Sequence, residues 1–203
     1  MKQIEITSRL LGNFEDQIRL LKKQGFVVSL HGRVEDEYLS QNELPITEEN
    51  VLDVLSHTVL LRYLREENKV YKKITYKRKE YLNGEVISEE KYNIPCDDLD
   101  TARKLFQALG FKTLVHVCYD VTEMKKDGFH FVFQEVEGLG TLVEYESPAD
   151  FSDASPDKIR QEKQKLFKQL KSLGLKLSDE TDVKKAKELI LKQKDNNGTD
   201  RHF

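Results

Sequence analysis

The feature that most constrains this chain is a repeated alternation, in which segment after segment sets an apolar face against a polar face carrying both signs of charge. Residues 3–10, QIEITSRL, place Ile4, Ile6 and Leu10 on one side and Gln3, Glu5, Thr7 and Arg9 on the other, the period of two expected of a strand. Residues 57–66 and 69–82 read as a hairpin with Arg62 and Leu64, then Lys73, Thr75, Lys77 and Lys79, on one face. Asn83-Gly84 is a strong turn signal into residues 85–95, where Glu90 and Tyr92 share the polar face. Residues 112–124 set His116, Cys118 and Asp120 on that face. A turn at Lys126-Asp127-Gly128 leads to a second hairpin, FHFVFQEVE and GLGTLVEYE. It presents His130, Val132 and Gln134, then Leu142, Glu144 and Glu146.

The opposite faces need cover, and the chain supplies helices. Asn13 can cap a helix whose Phe14, Ile18 and Leu21 recur at helical spacing, with Gly25 at its end. Residues 98–111, DLDTARKLFQALGF, repeat the phrase with Asp98 as cap, a stripe of Leu99, Ala102, Leu105 and Phe106, and Gly110 before Phe111. We read an internal duplication of a strand–helix–strand unit. Residues 47–56 suggest a short helix in a long connection. Ser155-Pro156-Asp157 opens a helix with stripe Ile159, Leu166, Leu170 and Leu173. A last helix over 181–193 carries Val183, Ala186, Leu189 and Ile190. One domain is expected over residues 1–193, closing with a helical pair at 156–193, and a disordered polar tail over 194–203.

Composition narrows the function classes. A chain of 203 residues with 38% hydrophobic and 34% charged residues is an ordinary soluble domain. Its formal charge of -3 gives no broad electrostatic case for nucleic acid or an anionic membrane. No apolar stretch is long enough to span a bilayer, and MKQIEITSRLL lacks a signal-peptide core, so a cytoplasmic location is expected. Cys96 and Cys118 form neither a disulfide framework nor a common zinc motif, though their spacing admits a lone disulfide.

The fold class is α+β, with an antiparallel sheet whose apolar faces lie under helices. Two arrangements satisfy the polar faces. An open sheet could leave them to water. A closed barrel could turn them into a polar lumen with the helices outside, since about eight strands enclose one small ligand. Alternation by itself leans slightly to the open sheet.

QEVEGLGTLVEYE resembles a pattern of the CYTH superfamily, the triphosphate tunnel metalloenzymes, and within it the class IV adenylate cyclase branch: an acid, V-E-G-L-G, a short apolar step and E-x-E. QIEIT stands where that family has E-x-E-x-K, and DEY (36–38) resembles its D-x-Y-F step. LLRYLRE resembles L-R-x-R, ITYKR its T-Y-K strand, and ALGF its L-G-F. KQLKSLGL followed by DVKKAKELILKQ resembles its closing helices. The set runs in order along the chain to residue 193.

The resemblance implies a closed antiparallel tunnel that binds a nucleoside or organic triphosphate with a divalent metal, Mg2+ or Mn2+, and acts as an adenylate cyclase or triphosphatase. Hard cations favour oxygen ligands, and phosphate oxygens favour charge-assisted bonds from Lys and Arg. Carried over by position, Glu5, Glu144 and Glu146 would hold metal. Arg62 and Lys77 would act on the phosphates, with Lys73, Lys79 and Arg9 as further phosphate contacts. The match is partial: Gln3, Thr7, Leu64, Cys118 and Gln134 stand where the pattern has charged residues. The resemblance therefore also admits a catalytically degenerate tunnel that binds a nucleotide or other anion, or a diverged enzyme on another nucleotide-derived substrate using His116 or His130. Read without it, Glu144, Glu146, Arg62 and Lys77 are ordinary surface charges, and His116, Cys118 and His130 are small polar residues. The expected partner is a small-molecule triphosphate or nucleotide; a homodimer is admitted.

Overall fold

The computed structural model of the protein describes residues 4–82, 85–151 and 153–199. Gln3, the Asn83-Gly84 turn and the side chain of Lys79 lie outside the described residues. The described elements are β1 (Glu5–Arg9), α1 (Phe14–Lys23), β2 (Val27–Ser40), α2 (Val51–Ser56), β3 (His57–Glu66), β4 (Lys69–Leu82), β5 (Glu85–Pro95), α3 (Leu99–Ala108), β6 (Lys112–Lys126), β7 (Phe129–Val136), β8 (Gly140–Glu146), α4 (Pro156–Ser172) and α5 (Lys185–Thr199). The predicted caps form. Asn13, Asp98 and Ser155 each accept hydrogen bonds from amides of their helix's first turn, satisfying donors that have no partner within the helix. Gly25 and Gly110 turn the chain out of α1 and α3 at φ of 90° and 86°, a region open to glycine.

All eight strands pair antiparallel in one sheet of order β1-β8-β7-β6-β2-β3-β4-β5. Adding four to the numbers of β1–β4, and subtracting four from those of β5–β8, returns this order read backwards. The repeated phrase in the sequence is thus built as two four-stranded halves that meet at β2 and β6. One residue from every strand lines a single cavity: Glu5, Tyr38, Leu60, Lys73, Lys91, Tyr119, Gln134 and Glu144. The sheet therefore curls around that face.

The convex face carries two apolar cores. Ile6, Phe131, Phe133, Val143 and Tyr145 pack under Ile18 and Leu21 of α1 and Ile159, Leu166 and Leu170 of α4. Leu39, Val59 and Leu61 pack with Ala102 of α3. A third core lies on the concave side, where Val115, Val117, Val136 and Leu142 meet Val51 and Leu55 of α2 and Val183, Ala186 and Ile190 of α5.

Two expectations need correction. Among the described residues no ladder joins β1 to β5, so hydrogen bonds do not close the sheet into a barrel; side chains bridge its edges instead, Lys91 of β5 reaching Glu5 at 3.3 Å and Glu146 at 3.9 Å. The helices are not all outside, because α2 and α5 bury their apolar stripes against the concave face. The last helix, α5, runs on to Thr199, past the end of its apolar stripe.

The outer edge of β1 is also occupied. The connection between α4 and α5 runs alongside it, with Thr7 N donating to Thr181 O at 3.1 Å, Val183 N to Thr7 O at 3.0 Å and Ser178 N to Arg9 O at 2.9 Å. This path delivers the start of α5 to the concave face.

Candidate functional site

The concave cavity has a volume of about 380 Å3. Its walls carry six basic side chains, Arg62, Lys73, Lys77, Lys91, Lys184 and Lys185, against four carboxylates, Glu5, Glu144, Glu146 and Asp182. Strand register sets this composition. Cross-strand partners share a face, so Arg62 opposite Lys73, Thr58 opposite Lys77, and Lys77 opposite Lys91 place one basic row along β3–β5. Glu5 opposite Glu146 and Thr7 opposite Glu144 place the acids along β1 and β8.

Arg62 is held from behind. Its Nε and Nη2 each donate to Asp36 at 2.6 Å, a bidentate pair, and Nη2 also donates to the Tyr119 hydroxyl at 3.1 Å. The Asp36 side chain is 0% exposed and that of Arg62 24%. Asp36 thus fixes the guanidinium plane and neutralises much of its charge. Burial raises the Tyr119 and Tyr38 phenols far above or above their usual values, so both are neutral donors. Burial, reinforced by the cations Arg62, Lys77 and Lys91, pulls the Lys73 ammonium down. A group so crowded by like charge gains from an incoming anion.

Lys185, at the first position of α5, enters the centre of the cavity. Its Nζ donates to Gln134 Oε1 at 2.6 Å, lies 3.8 Å from Glu144 and stands 4.3 Å from the centre of the Tyr119 ring. Gln134 completes the link by donating to Glu144 at 3.1 Å. Lys184 pairs with Asp182.

Most of the expected site residues converge here: Glu5, Arg62, Lys73, Lys77, Glu144 and Glu146 all line the cavity. Arg9 does not line it; it pairs with Glu188 of α5 and lies 3.7 Å from Glu180. The expectation that His116, Cys118 and Asp120 point inward is wrong by one position. Val117, Tyr119 and Val121 take the concave face, Val117 in the core that includes the stripe of α5 and Tyr119 and Val121 lining open space on that face. Asp120 pairs outside with Arg33, His116 is exposed, and both cysteines are free thiols. His130 sits at a mouth of the sheet, 3.0 Å from Glu123. In β5 it is Lys91 and Asn93, not Glu90 and Tyr92, that face inward.

Asp36, Tyr119, Lys91, Asn93, Asp182, Lys184 and Lys185 were not foreseen as site residues. The apolar stripe of α5 is the one available signal for Lys184 and Lys185, since Val183 and Ala186 bracket them in sequence.

Glu5, Glu144 and Glu146 fit a hard divalent cation in kind, as three carboxylates on adjacent strands. In position they do not converge. Among the described residues no three His, Cys, Asp or Glu stand close enough to hold an ion, and Lys91 and Lys185 lie against these carboxylates.

No family model matches the sequence, and no curated protein does. Solved structures do match. The PH1819 protein of Pyrococcus horikoshii OT3 superposes with a TM-score of 0.71 at 22% identity, over 94% of this chain and 99% of that one. A candidate adenylate cyclase of Vibrio parahaemolyticus gives 0.66 at 15% identity, over 95% and 98%. HpAC1 of Hippeastrum, a candidate adenylyl cyclase with a dominant triphosphatase activity, gives 0.51 at 17% identity, over 88% and 91%. At these identities the likeness is one of fold, and the fold of this chain is the one these proteins share.

Proposed function

We propose that the protein binds a nucleoside or organic triphosphate in the concave cavity and is a member of the CYTH superfamily. In this reading the curled sheet acts as a tunnel, with Lys91 completing its enclosure. The observation that carries it is the convergence of six basic side chains, from β3, β4, β5, α5 and the residue just before α5, on one cavity faced by Glu5, Glu144 and Glu146. Lys73, Lys77 and Lys185 grip phosphate oxygens, each through a charge-assisted bond of roughly 1.5–3 kcal/mol. Arg62, braced by Asp36, offers the two N–H donors of its Nη1 in a fixed direction. With a ligand bound, Lys91 and Lys185 would turn from the carboxylates to the phosphates. Glu5, Glu144 and Glu146, freed of those lysines, would have to draw together to hold Mg2+ or Mn2+, which would supply neutralisation of phosphate charge. The activity expected of such a site is triphosphate hydrolysis or cyclisation of a nucleoside triphosphate.

The test incubates the protein with ATP, thiamine triphosphate and inorganic triphosphate, with Mg2+ or Mn2+, beside Glu144→Ala. Phosphate or cyclic nucleotide release that is lost in the variant supports an enzyme. Metal-dependent binding without turnover supports a binding module, a reading favoured by the bidentate hold of Asp36 on Arg62. Neither turnover nor binding refutes both.

A further inference from the structure

The concave face holds a second cavity of about 620 Å3, within the range of roughly 300–1,000 Å3 usual for small-molecule sites. It abuts the first: Arg62, Lys73, Asn93, Tyr119, Gln134 and Glu144 line both. Beyond that shared belt the walls change character. Leu30, Val34, Leu64, Val121 and Val132 make up most of them, Tyr71 and Pro95 close the β4–β5 side, and the one further lysine, Lys72, donates its Nζ to Asp97 O at 2.9 Å. Register explains the change, since Val34 lies opposite Leu64 and Glu123 opposite Val132, each within the concave face. Leu64 stands two residues beyond Arg62 on the same face of β3, at the point where the wall turns from cationic to hydrocarbon.

At the far mouth Glu123 is tied by Ser29 at 2.5 Å, Lys125 at 2.5 Å and His130 at 3.0 Å. It keeps a carboxylate there, remote from the basic row. The cations at this mouth are engaged by Glu123, whereas six line the first cavity, so a phosphate is drawn to the shared belt and the first cavity.

We propose that the ligand is a phosphate ester of an apolar hydrocarbon group, its phosphates held by the basic cavity and its hydrocarbon seated among Leu30, Val34, Leu64, Val121 and Val132. A nucleobase fits this half poorly. Its ring nitrogens and exocyclic groups would need polar partners, and a hydrocarbon wall leaves them desolvated and unpaired. An alkyl or prenyl chain needs none and gains with each methylene removed from water.

This inference rests on the basic cavity being a phosphate site, and the experiment separates the two claims. The wild-type protein is titrated calorimetrically with inorganic triphosphate, ATP, and butyl, hexyl and octyl triphosphate below their micelle thresholds. Affinity is expected to rise about threefold to fourfold per added methylene, and octyl triphosphate to exceed ATP. In Leu64→Asn, the octyl-to-butyl affinity ratio is expected to fall at least fivefold. If inorganic triphosphate binds while the alkyl series is flat, or ATP binds more tightly than octyl triphosphate, the hydrocarbon assignment is overturned and the phosphate site stands. If none of the five compounds binds, both fall. Should Leu64→Asn not fold, the wild-type series decides alone.

Discussion

Removing the Arg62 side chain tests the internal electrostatics of the site most directly. Asp36 is 0% exposed, and its two 2.6 Å bonds both come from Arg62. The Tyr119 hydroxyl at 3.5 Å is too long to take their place. Arg62→Met would therefore strand a buried carboxylate, a change that costs about 3–5 kcal/mol when one partner of a buried pair is lost. With Arg62 itself 24% exposed, the lower part of that range is expected. For a chain of this length each kcal/mol moves Tm by about 2–4 °C, so a fall of roughly 6–12 °C follows. Asp36→Leu combined with Arg62→Met should restore most of the loss, because no charge is left without its counterion. Urea unfolding followed by circular dichroism, run as a double-mutant cycle, measures all four proteins. A loss below about 1 kcal/mol in Arg62→Met, or a double variant as unstable as the two single losses added, would refute the claim that Asp36 depends on Arg62.

Other expectations can be checked separately. Burial tends to raise the Glu123 carboxyl, but hydrogen bonds from Lys125, Ser29 and His130 outweigh it and hold the group at about 2; the stability it confers is present above the ordinary glutamate value and is lost as pH falls toward 2, so wild type should lose more stability than Glu123→Gln across that window in acid unfolding. Because burial and neighbouring cations lower the Lys73 ammonium, phosphate binding should raise it again, and titrations in alkaline buffers of different ionisation heats should report proton uptake that Lys73→Met abolishes. A methyl group at Gly32 would meet Arg65 O at 2.6 Å, where β2 and β3 run close, so Gly32→Ala should cost about 1–3 kcal/mol in thermal unfolding; an unchanged Tm would show that the strands can part there.

The hairpins were legible in the sequence because alternation, turn residues and caps all act locally. Residues 57–66, 69–82 and 85–95 are the strands found, and Asp127 and Gly128 make their turn at φ of 44° and 83°. Which face of a strand points inward is a tertiary matter. In β6 the polar set His116, Cys118 and Asp120 matched the polar faces of its neighbours, but the stripe of α5 required hydrocarbon opposite it and claimed Val115 and Val117. In β5 both faces mix polar and apolar residues, so only pairing with β4, Thr75 to Asn93 and Lys77 to Lys91, decides. Lys185 belongs to the same class of surprise. Its place in the cavity depends on a connection that runs beside β1, a contact between chain segments about 170 residues apart in sequence.

That connection makes the two halves of the sheet unequal in a way their strand order conceals. The sheet has two terminal strands, β1 and β5, and the 176–183 stretch runs along β1. Along β1, the amides of Thr7 and Leu11 donate into the 176–183 stretch. Among the described residues no strand lies against the outer side of β5, where Tyr92 and Ile94 are 55% and 60% exposed. Amide hydrogen exchange should register this as slow solvent exchange at one margin and fast exchange at the other. It also gives natural selection different tasks at the two margins: conserving a clasp at β1, and keeping β5 from recruiting a stray strand.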